Sequence, residues 1–126
     1  MTPPDPLARP RRELAAARHL ADGGFHAQAI SRACYAAFYA AEVALQELGE
    51  TRSKHSGVIA AFVELLVRRD ELEPETGKIL RSLFDRRSGA DYDLADAPDR
   101  GEGERAIADA GGFVDAIATW MLDRRA

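Results

Sequence analysis

Three groups of side chains in this chain of 126 residues have types and spacings suited to chemistry. In the run RRSGADYDL, Arg86 and Arg87 precede two small residues, Gly89 and Ala90, and then Asp91 and Tyr92. A guanidinium is planar and permanently charged, so it can grip two phosphate oxygens at once. The small Gly89 and Ala90 would let another group approach the helix end closely. In the run SRACYAAFYAAE, Arg32, Tyr35 and Tyr39 fall at i, i+3 and i+7 and share one helix face. Two readings stand side by side there. Arg32 pairs with a carboxylate while the tyrosines pack, or Arg32 and Tyr35 hold a phosphate. In the run SKHSGVIAAF, Lys54 and His55 lie at an expected helix N-terminus, where backbone N–H groups favour anions. Ser53 or Ser56 is expected to cap that helix.

Other chemistries lack their residues. There is no GxxxxGK[ST] phosphate loop and no GxGxxG motif. No histidine has a glutamate three residues before it, as a di-iron bundle requires. One cysteine, Cys34, and scattered histidines leave the usual zinc spacings unmet, and no intrachain disulfide can form. The stretch DYDLADAPDRGE puts Asp91, Asp93 and Glu102 on calcium-loop positions. Ala95 and Asp96 then break the pattern where a ligand and a glycine are needed. No metal or other cofactor is expected.

The net charge of -4 argues against a general nucleic-acid coat or a binder of anionic membranes, while leaving room for a local basic patch. The basic residues are arginines apart from Lys54 and Lys78. No run approaches a membrane span and the start, MTPPDPLARPRR, has no apolar signal segment, so cytoplasmic residence is the expectation.

The elements that must position these groups read as helices almost throughout, in one domain over residues 1–126. The first helix should stop at Gly23-Gly24 and the second should run from about Phe25 to Leu48 and stop at Gly49. A third carries Val58, Ile59, Phe62, Leu65 and Leu66, and a fourth enters through Glu73-Pro74-Glu75. After a polar loop, the last helix is expected from about Glu104 to Arg124, interrupted at Gly111-Gly112. No segment alternates as a strand would. The second helix is apolar on nearly every side, which suggests burial in a bundle and against another subunit.

The three runs, in this order, resemble the HEPN domain superfamily, in its small bacterial and archaeal toxin-like branch. The resemblance rests on SRACYAAFYAA, on His55 to Val58, and on Arg87 to Tyr92, and covers about residues 10–123. It implies an all-α, antiparallel up-and-down bundle of four or five helices that forms a homodimer. It further implies a toxin-type component that acts on or binds RNA in a dimer cleft, paired with a nucleotidyltransferase antitoxin. Many such proteins are metal-independent endoribonucleases in which an arginine steadies the phosphate and a histidine about four to six residues later moves the proton. Here Asp91 and Tyr92 stand where that histidine would be. The resemblance thus nominates Arg87, Asp91 and Tyr92 as catalytic, with Tyr92 also the equivalent of a tyrosine that the partner modifies. Arg32, Tyr35, Lys54, His55 and Arg86 become the RNA- or nucleotide-binding set. The alternative is a non-catalytic module presenting a nucleotide or substrate to the partner enzyme. A salt bridge from Arg32 to Asp91, with Tyr35 nearby, is expected to hold the site. A buried arginine robbed of its carboxylate costs about 3–5 kcal/mol.

Overall fold

Alanine is the strongest helix former and its side chain lets neighbouring helices approach closely. The chain uses both properties at its centre. A computed structural model describes the backbone of residues 4–92 and 97–126 and the side chains of residues 4–86 and 97–126. Among the described residues five α-helices follow one another: α1 (Ala8–Asp22), α2 (His26–Glu47), α3 (His55–Phe62), α4 (Pro74–Tyr92) and α5 (Arg100–Arg125). The fold is all-α, as expected, and no strand occurs among the described residues.

The middle of the bundle is α2, which packs against α1, α3, α4 and α5. Ala29, Ala33, Ala36, Ala37, Ala40, Ala41 and Ala44 are all completely buried along it, with Ile30, Phe38 and Leu45 beside them. Larger side chains from the outer helices fill the space these alanines leave. Phe62 of α3 meets Phe113 of α5 at 5.3 Å between ring centroids, and Leu80, Leu83, Ile117 and Trp120 complete the core. One chain therefore covers the faces of α2 that its apolar sequence had assigned to another subunit. The composition of α2 carries no requirement for a dimer.

Helix ends follow local chemistry. Beyond α1, Phe25 N–H bonds Leu20 C=O at 2.8 Å and Gly24 N–H bonds Ala21 C=O at 3.0 Å. Beyond α2, Glu50 and Gly49 bond Leu45 and Gln46 in the same pattern. This pattern needs a left-handed residue at the turn, which Gly24 (φ 88°) and Gly49 (φ 77°) supply without strain. After α3 the chain continues through a π-helical turn, Val63–Val67, and closes with the same bonds, Asp70 to Val67 and Glu71 to Leu66. There the left-handed position belongs to Asp70, at φ 58°. Pro74 opens α4 as its first residue, where the absent N–H is no loss.

Three details depart from the sequence reading. The N-cap of α3 is Lys54, and no side chain caps it, so neither Ser53 nor Ser56 does so. The last helix begins four residues before the expected Glu104. Asp99 caps it, its Oδ1 accepting the Glu102 N–H at 2.8 Å, and so draws part of the expected loop into the first turn. It then runs unbroken through Gly111 and Gly112, because the buried Ala110, Phe113, Val114 and Ile117 hold it to the core.

The terminations yield a paired test by urea or thermal unfolding. Asp70→Gly relieves left-handed strain of about 1–2 kcal/mol and costs about 0.5–1 kcal/mol of added chain entropy, so stability rises by about 0.5 kcal/mol. Gly49→Ala lowers stability by about 1 kcal/mol.

Candidate nucleic-acid interface

The solvent-facing stripe of α2 carries Arg32, Tyr35, Tyr39 and Glu42, all partly exposed between the buried alanines. Helix periodicity alone produces that stripe. What lies on either side of it comes from antiparallel packing. From α1, Glu13 reaches Arg32 at 3.2 Å, and Arg9 donates to the Tyr39 hydroxyl at 2.9 Å. Moving one turn back along α1 thus moves two turns forward along α2, as an antiparallel pair requires. From α3, the His55 ring stacks on Phe38 at 4.4 Å and meets Tyr35 edge-on at 6.1 Å.

The outcome is a surface built of rings and guanidinium groups. Tyr35 and Tyr39 stack with centroids 6.0 Å apart and planes 28° from parallel. The Arg9 guanidinium lies 3.9 Å from the centre of the Tyr39 ring, and that of Arg32 lies 4.6 Å from Tyr35. Such contacts contribute about 0.5–1 kcal/mol each at exposed sites. Beneath the stripe, Phe38 meets Phe84 of α4 at 5.7 Å, and the buried Cys34 thiol donates to the Leu83 carbonyl. The ring cluster is thereby seated on the helix that carries Arg86 to Tyr92.

The expected site residues divide. Arg32, Tyr35 and His55 lie together, and Lys54 is exposed beside His55. Arg86 turns to α5, its Nη2 2.6 Å from Asp109, while its other terminal nitrogen, Nη1, is buried with no hydrogen-bond partner among the described residues. Arg87, Asp91 and Tyr92 occupy the last turns of α4, which continues helical through Gly89 to Tyr92. Arg87 and Asp91 are one turn apart in that register. Their side chains lie outside the described residues, and with them the expected Arg32–Asp91 bridge. Among the described residues, Arg32 meets the carboxylate of Glu13. Sequence reading overlooked Arg9 and Glu13, although their i, i+4 spacing on an amphipathic first helix marked them as sharing a face.

Among the described residues, no group of three or more His, Cys, Asp or Glu side chains is arranged to hold a metal ion. No helix there is long and apolar enough to cross a membrane.

The Arg32 side chain is 40% exposed and that of Glu13 18%, so neither charge is stranded when the other is removed. A double-mutant cycle on Arg32→Ala and Glu13→Ala should give a coupling of about 0.2–1 kcal/mol. A coupling above about 3 kcal/mol would mark a fully buried pair.

Comparison with known proteins completes the description. The model of the HEPN domain matches residues 5–120. A UPF0332 protein of Thermotoga maritima is 36% identical over 95 residues, covering 75% of this chain and 72% of that protein. A candidate toxin of Methanocaldococcus jannaschii is 35% identical over 104 residues, 82% of this chain and 77% of its own length. A second candidate toxin of the same organism is 24% identical over 118 residues, 94% of this chain and 80% of its own.

Proposed function

The chain belongs to the HEPN domain family, and on that footing we propose that it is a toxin-type component that acts on RNA. What carries the reading is the pairing of family membership with the run Arg87-Ser88-Gly89-Ala90-Asp91-Tyr92 at the end of α4. In this reading the protein is a homodimer, and the ends of its two α4 helices line a shared cleft. Arg87 steadies the charge on a phosphate as it becomes five-coordinate, and Asp91 and Tyr92 take the places nearest the moving proton. The relatives described as candidate toxins support an antitoxin partner, and a nucleotidyltransferase is the partner proposed, with Tyr92 as the residue it modifies. Action in the cytoplasm belongs to the same proposal.

One observation favours a second reading. A histidine is absent after Arg87, and tyrosine, protonated at neutral pH, is a poor general base. A non-catalytic module that holds a nucleotide or RNA for the partner enzyme needs Arg87 and the aromatic surface but no base.

Purified protein incubated with total RNA in EDTA separates the two. Cleavage by the wild type, reduced about 100-fold or more by Arg87→Ala, establishes the ribonuclease. Binding without cleavage establishes the module. Neither binding nor cleavage refutes both. Sedimentation at micromolar concentration checks the dimer, and a monomer there removes the shared cleft.

A further inference from the structure

We draw no further inference here: the strongest candidate, the groove between the turn that precedes α4 and the last turns of α5, lined by Asp70, Glu71, Glu73, Trp120 and Asp123, is an acidic cluster at which nothing in the structure shows what would occupy it.

Discussion

Everything in this bundle depends on how closely four helices can approach the fifth. The seven fully buried alanines of α2 present a surface with almost no relief. Protein interiors are close-packed, so the outer helices settle against that surface and supply the volume themselves. Phe62, Phe113, Leu80, Leu83 and Ile117 all enter from outside α2. The helix that looks least specific in sequence therefore sets the position of every other element. It also limits what α2 itself can offer to function, because its long polar side chains are confined to a narrow solvent-facing stripe.

Local chemistry made much of this legible. Helix ends at Gly23-Gly24, Gly49 and Pro74 follow from backbone geometry that a few neighbouring residues determine, and the structure places them there. The HEPN resemblance, read from three short runs, matches the family found over residues 5–120. What stayed hidden depends on partners distant in the chain. Gly111 and Gly112 look like a break until the apolar residues around them are seen held by the core. Asp99 reads as loop until its carboxylate is seen capping a helix. The apolar circumference of α2 reads as an interface until four neighbours are placed around it.

The site was legible in the same partial way. The spacing of Arg32, Tyr35 and Tyr39 shows that they share a face, and they do. It does not show which helix lies beside them. Only the antiparallel register of α1 on α2 brings Glu13 to Arg32 and Arg9 to Tyr39. Arg86 illustrates the converse. Its neighbour in sequence belongs to the motif, yet its own guanidinium is drawn to Asp109 on another helix. Adjacent residues on a helix point about 100° apart, so proximity in sequence is a poor guide to shared purpose.

The alanine surface of α2 also shapes how this gene can drift. A single base change in an alanine codon yields glycine, serine, threonine, valine, proline, aspartate or glutamate. Where no space is left, threonine and valine overfill, the acids bring unpaired charge, and proline breaks the helix. Glycine and serine fit, at some loss of helix stability. Most mutational steps away from these alanines are therefore closed. The partly exposed stripe between them is less tightly enclosed, so substitutions there are more readily accommodated while the frame holds still.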